Sequence, residues 1–446
     1  MKKEKIIRMT KLIIGNFTVK DIAFGSKTEY KNGLLTVNEE EAVKALNPNG
    51  KLKNVKLHIA RPGESCRILP IKAAVEPCAR PDGRAAFPGY TGPIAQAGEG
   101  LLHSLKGMCV LAVGKYGGWM ESMLDMSGPA AELTFYSKLN VLAFTAETTD
   151  PADDCGDTQK TNADYRLGAH LLAEYLGKAT VGMEPERLEE YSLSDCSGKN
   201  LPRVLLGAHF SSFYTLKPGF NEALYGQDVI YNIPTLMHPN EFLDGAVTSS
   251  SLVPGSSHNH TYDYQEFPIL KKLYAEHGKT IDFVGVVNLL MGNNLERKSA
   301  YAIRIATIAK MLRCDSAILC EQGGGNVDID FFNTLIRLED EGVKTVGVIS
   351  ESPGRDGRTQ SKTMMDDRGD AIISGSNNQQ VMEFPAMKRV IGDLGSIGRD
   401  TYPGFWADNA VYGPSLRADG SLIGDTHSII GHDGDLGFSN KVCKDF

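Results

Sequence analysis

Along the first 150 positions apolar residues come in short runs between turn residues and seldom at helical spacing. Segments 12–19, 34–37 and 55–59 carry aliphatic and β-branched side chains bounded by Gly, Pro and Asn, which predicts strands. Through 161–176 the period changes, because Ala163, Leu167, Leu171 and Tyr175 recur every fourth residue and so share one helix face. Segment 201–210 reads as a buried strand. Beyond residue 281 the pattern alternates: strand over 282–290, helix over 294–312, strand over 316–320, helix over 329–341, strand over 345–349, and a further strand over 371–374. This βαβαβ order implies parallel strands joined by right-handed crossovers. The expected fold class is therefore α/β: a β-rich domain over 1–150, a helical connection over 151–200, and an α/β domain over 201–446 with a mainly parallel, Rossmann-like sheet.

Length supports more than one domain, since the chain has 446 residues and single cores stop growing near roughly 250–300. A hydrophobic content of 41% and a charged content of 23% are those of a globular protein with a sizeable core. The net charge of −8 offers no positive field to nucleic acid or an anionic bilayer. No apolar run has the length of a membrane span or signal segment, so a cytoplasmic protein without nucleic-acid or membrane partners is expected. The cysteines at 66, 78, 109, 155, 196, 314, 320 and 443 show neither Cys-x-x-Cys pairs nor zinc-ligand spacing. No metal site and no disulfide framework are expected from them.

In an open parallel sheet, ligands bind outside the carboxyl ends of the strands. The segment Cys320-Glu-Gln-Gly-Gly-Gly-Asn326 leaves such an end and enters a helix. Backbone N–H groups of Gly323, Gly324, Gly325 and Asn326 would face an anion such as a substrate carboxylate; a tight strand-to-helix turn is the competing reading. The loop spells neither the dinucleotide fingerprint nor a Walker A motif. Glu321 is the leading acid–base candidate, and Arg355 and Asp356 occupy the next such loop. Cys320, facing a helix N-terminus, is a candidate for a lowered thiol pKa. Arg61 and Arg67 offer bidentate guanidinium groups for a carboxylate, or for an interdomain salt bridge. Finally, segment 244–260 places Ser249, Ser250 and Ser251 near His258, a possible nucleophile and base.

Taken in order, Ala60-Arg-Pro-Gly-Glu-Ser-Cys-Arg67, Asp125-Met-Ser-Gly-Pro129, Leu243-Asp-Gly-Ala246, Asp282-Phe-Val-Gly285, Glu321-Gln-Gly-Gly-Gly-Asn326, Gly342-Val-Lys-Thr345, Gly354-Arg-Asp-Gly357 and Asp435-Leu-Gly-Phe438 resemble the component B proprotein subunit of glycine, sarcosine and betaine reductases. That family is related to the D-proline reductase proprotein. The likeness spans almost the whole chain. It implies the substrate-binding subunit of an oligomeric, cytoplasmic reductase complex of anaerobic amino-acid fermentation. Such a subunit acts with a separately encoded selenoprotein or thiol reductase on a small amine or amino acid, in reductive C–N cleavage. The resemblance also implies self-cleavage before an internal cysteine, which becomes a pyruvoyl group that holds the substrate as an imine. Here the cysteine's place falls on Leu252. Two expectations follow: a pyruvoyl group formed from Ser249, Ser250 or Ser251 with His258 as base, or an uncleaved, non-pyruvoyl binding or scaffold subunit. No other cofactor is expected.

Overall fold

A computed structural model describes residues 10–114, 122–149, 163–196, 198–210, 212, 222–249, 259–353, 362–377, 379–399 and 414–438. The fold is mixed α/β. Two larger sheets and a small three-stranded one, Asp21–Phe24, Leu34–Val37 and Glu29–Lys31, build the N-terminal half. The first has the order Arg187–Tyr191, Leu12–Thr18, Gly100–Lys106, Cys78–Ala79. The second has the order Ser122–Asp125, Cys66–Val75, Met108–Val113, Asn140–Thr148, Leu52–Ala60. Every residue of Cys66–Val75 and of Met108–Val113 is buried. Met108–Val113 is an unbroken apolar run without alternation, while Arg67, Pro70 and Lys72 interrupt Cys66–Val75, so local pattern marked this half as β-rich without resolving these two strands.

The helix Ala163–Gly177 forms where the spacing predicts one, but Ala163, Leu167, Leu171 and Tyr175 are only half-buried, and Tyr165, Ala169, Leu172 and Leu176 are among its buried apolar side chains, packed within the N-terminal unit. The Tyr165 hydroxyl donates to the Ala146 carbonyl at 3.0 Å. At its end, a Cβ on Gly177 would lie 2.3 Å from the Cys78 carbonyl carbon, so glycine is what lets helix and strand meet there.

The sheet of the second half has the order Leu236–Met237, Asp282–Leu290, Arg203–Phe210, Ser316–Cys320, Lys344–Glu351, Ile372–Asn377. Its five longer strands are parallel to their neighbours, and only the two-residue Leu236–Met237 edge is antiparallel. Helices Leu295–Met311 and Asn326–Asp340 form the crossovers. Asn294 caps the first by accepting the Arg297 N–H at 2.8 Å. The second begins three residues earlier than its apolar period predicts, because Gly325, at φ +79°, turns the chain directly into helix. Strand order reverses around Arg203–Phe210, and a ligand crevice is expected outside the carboxyl ends at such a point.

The C-terminal segment does not stay with this sheet. Arg389–Gly392 runs parallel to Cys66–Val75, and Phe438 stacks on Phe135 with centroids 4.2 Å apart and planes at 17°. Leu12, Phe144, Leu206 and Phe283 belong to one contiguous buried cluster. Spatial layers and chain order therefore differ. Among the described residues no helix is long and apolar enough to cross a membrane.

Candidate functional site

The parallel strands deliver the chain to Ser212, Met291 and Glu321 on one side of the sheet. The Ser212 hydroxyl accepts the Met291 N–H at 2.8 Å, and Gly292 donates to Asp330 at 2.9 Å. Lys298, buried, reaches the Asn326 carbonyl at 3.0 Å and pairs with Asp330. These bonds stitch neighbouring strand ends to the start of helix Asn326–Asp340.

At the glycine loop, Gly323 and Gly325 take φ values of +85° and +79°, which side chains other than glycine resist. Glu321 lies completely buried beneath it and is ion-paired with Lys362. Lys362 also lies 3.4 Å from Asp328. Thr363 closes the cluster, its N–H donating to Asp328 at 2.6 Å and its hydroxyl to the Gly325 carbonyl at 2.6 Å. Burial pushes the Glu321 carboxyl well above its usual range, and the Lys362 ammonium opposes that shift. Glu321 is thus held by a partner that the sequence reading missed. Lys362 follows a polar linker, and nothing local marks it as buried.

A second buried network joins the two stems of segment 250–258. The Ser249 hydroxyl donates to the Asn259 carbonyl, while the Ser249 N–H donates to the Thr261 hydroxyl at 3.0 Å. His170 Nδ1 lies 2.7 Å from the Arg166 carbonyl and Nε2 lies 2.9 Å from the Thr261 hydroxyl. A carbonyl only accepts, so Nδ1 carries the proton and Nε2 receives the Thr261 hydroxyl hydrogen. Burial, the main cause, lowers the His170 pKa to about 3, which keeps the ring neutral. On the other stem, Asn259 Nδ2 donates to Gln322 at 2.9 Å and to Asp435 at 3.0 Å. Gln322 Nε2 donates to Glu222 at 2.9 Å, and the Tyr264 hydroxyl donates to Gln322 at 3.0 Å. Burial raises the Asp435 carboxyl to about 8 and the neighbouring Asp263 carboxyl to about 7.

The structure brings Glu321, Gly323, Gly324, Gly325 and Asn326 together at the strand ends, with Ser249 in the adjoining network. Ser250, Ser251, Leu252, His258, Arg355 and Asp356 lie outside the described residues. The two arginines are engaged elsewhere. Arg61 is largely exposed and bonds Asp21 at 2.7 Å. Arg67 lies on the buried strand Cys66–Val75, bound bidentately by Asp125 at 2.7 and 2.8 Å and donating to the Pro385 carbonyl at 2.9 Å. Each grips a carboxylate or carbonyl of its own chain. The Cys320 thiol is raised by burial, not lowered, because apolar packing outweighs any helix-end field there.

Cys196, His277 and Asp282 lie close enough to suggest metal ligands. Their atoms are already engaged: His277 Nδ1 accepts the Phe283 N–H at 3.1 Å, its Nε2 faces the Ser194 carbonyl at 3.1 Å, and Asp282 pairs with Arg203 at 2.7 Å.

Residues 10–444 match the family described as glycine/sarcosine/betaine reductase component B subunits. Three curated relatives come from Peptoclostridium acidaminophilum. A betaine reductase complex component B subunit alpha is 40% identical over 98% of this chain and all of its own length. A protein named glycine reductase complex component B subunits alpha and beta is 35% identical over 98% of this chain and all of its own length. A sarcosine reductase complex component B subunit alpha is 33% identical over 86% of this chain and 90% of its own. No solved structure matches the chain.

Proposed function

The chain belongs to the family of glycine/sarcosine/betaine reductase component B subunits, and from that premise we propose that it is the uncleaved substrate-binding subunit of an anaerobic, betaine-type reductase complex. The observation that carries this reading is Leu252, where the resemblance implies the processing cysteine. A leucine offers no nucleophile to begin an acyl shift. Formation of a pyruvoyl group from Ser249, Ser250 or Ser251 is the reading it opposes. A serine hydroxyl needs a positioned base at neutral pH. The Ser249 hydroxyl is spent on the Asn259 carbonyl, and among the described residues no basic side chain bonds to it.

Without a pyruvoyl carbonyl the substrate is not held as an imine. A quaternary ammonium has no N–H and forms no imine, so a betaine is the substrate class such a subunit can still serve. The relatives' names support the uncleaved chain, since those named for betaine and sarcosine are each a single subunit alpha, whereas the glycine reductase relative carries alpha and beta in one chain. In the proposed reaction a selenolate or thiolate of a separately encoded partner attacks the substrate methylene. The carbon–chalcogen bond forms as the C–N bond breaks, and the electron pair leaves with neutral trimethylamine. This chain holds the substrate in line for attack. We assign the substrate carboxylate to the N–H groups of Gly323 to Asn326 at the carboxyl edge of a Rossmann-like sheet, with Arg355 as a further carboxylate contact and Asp356 as a counter-charge for the quaternary ammonium.

Intact-mass measurement on the protein isolated from its native complex tests the proposal. A single 48.5 kDa species that hydrazine does not derivatise is expected. Two fragments divided within 249–252, one of them hydrazine-reactive, would sink it.

A further inference from the structure

Asp435 stands in none of the roles considered so far. Its carboxylate accepts one N–H of Asn259 at 3.0 Å while the other N–H goes to Gln322 Oε1 at 2.9 Å. Both donors of that amide are then spent. Gln322 Oε1 also receives the Tyr264 hydroxyl at 3.0 Å, and Gln322 Nε2 donates to Glu222 at 2.9 Å. Tyr264 and Glu222 thus orient the Gln322 amide, Gln322 orients Asn259, and Asp435 takes the remaining Asn259 N–H. Turned over, Asn259 would set its oxygen against the Gln322 oxygen. The same Asn259 presents its backbone carbonyl to the Ser249 hydroxyl, so it joins both stems of segment 250–258.

Asp435 is itself well fastened. The Leu436 carbonyl receives the Ile269 N–H at 3.1 Å, Gly437 donates to the Gly434 carbonyl at 2.8 Å, and Phe438 stacks on Phe135. A C-terminal turn closed by its own hydrogen bond and anchored at two points thus presents one oxygen to the strand-end crevice.

We infer that Asp435 is a positioning residue that holds the Asn259 amide against Gln322, and through Asn259 the neck formed by Ser249 and Thr261, beside the substrate crevice. The inference concerning substrate rests on the betaine-type reading; the inference concerning the neck does not. Burial raises the Asp435 carboxyl to about 8, which favours the neutral acid. Asparagine reproduces its shape and its acceptor oxygen.

The test uses the full chain, with glycine betaine as the probe, binding followed by calorimetry and amide hydrogen exchange followed at Ser249. Asp435→Asn is expected to bind within about threefold of the parent and to keep Ser249 protected. Asp435→Leu, which removes the acceptor, is expected to bind about tenfold more weakly, the loss of roughly one hydrogen bond's net worth, and to exchange Ser249 at least about tenfold faster. Parent-like exchange in the leucine variant overturns the inference, as does an asparagine variant no better than leucine. Should Asp435→Leu not fold, Asn259→Ala removes the same contact from the other side and carries the exchange measurement. A parent chain that fails to bind glycine betaine counts against the functional reading alone, because exchange at Ser249 still decides the role of Asp435.

Discussion

Asp244→Ala is expected to destabilise the chain by about 3–5 kcal/mol, the usual loss when one member of a buried ion pair is removed, measured as the shift of the urea unfolding midpoint at constant slope. The side chains of Arg80 and Asp244 are 1% and 0% exposed. The same carboxylate accepts the Gly98 N–H, and Arg80 also donates to the Glu99 carbonyl at 3.1 Å. Alanine would leave the guanidinium buried without its counterion. Gly245 follows at φ +71°, where a Cβ would stand 2.4 Å from the Ala86 carbonyl oxygen. The Asp-Gly-Ala segment therefore fastens the entry to the Ser249 neck onto the N-terminal unit. Burial raises the Asp244 carboxyl to about 6 against an ordinary 3.8, with Arg80 opposing. The folded state then binds more protons than the unfolded one between those values, so this group's contribution to stability falls as pH rises from about 4 to about 6 and is level above. An alanine variant within about 1 kcal/mol of the parent would contradict the clamp.

Much of the second sheet was legible because each strand and helix there is a local apolar pattern of ordinary length, and the Cys320-to-Asn326 loop lies at the strand ends where that pattern places it. The site's other half was not legible. Asn259 finds Gln322 and Asp435 across 63 and 176 residues of chain, and His170 meets Thr261 across 91. Such pairs leave no local periodicity, since each residue alone looks like an ordinary loop or helix polar group. Arg67 shows the opposite error. Its neighbours Pro62 and Gly63 make an exposed turn, but the turn ends at Ser65, and the arginine enters a strand where the Asp125 carboxylate and the Pro385 carbonyl make its burial tolerable. The order of short motifs carried more than any one of them: Leu243-Asp-Gly-Ala246 and Asp435-Leu-Gly-Phe438 prove to be the fasteners on either side of the same neck.

Lys362→Met should show the second large effect. It removes the only cation bonded to Glu321 among the described residues and leaves that carboxyl, fully buried, beside Asp328. A loss of about 3–5 kcal/mol is expected at pH 8. The pH dependence identifies the cause. Burial already raises the Glu321 carboxyl well above the ordinary 4.5, and without the ammonium nothing opposes that rise. The folded variant then binds a proton that the unfolded chain has released, so its stability falls as pH climbs above about 4.5 and some of the deficit is recovered in acid. Thr363 shares Asp328 and the Gly325 carbonyl, so the glycine loop loosens as well and weaker glycine betaine binding accompanies the loss. Adding Glu321→Leu should restore most of the stability, because replacing a whole buried pair with apolar groups of similar volume is close to neutral, while the single lysine variant stays crippled. A double variant as unstable as the sum of the two single ones would show that the residues do not act as a pair.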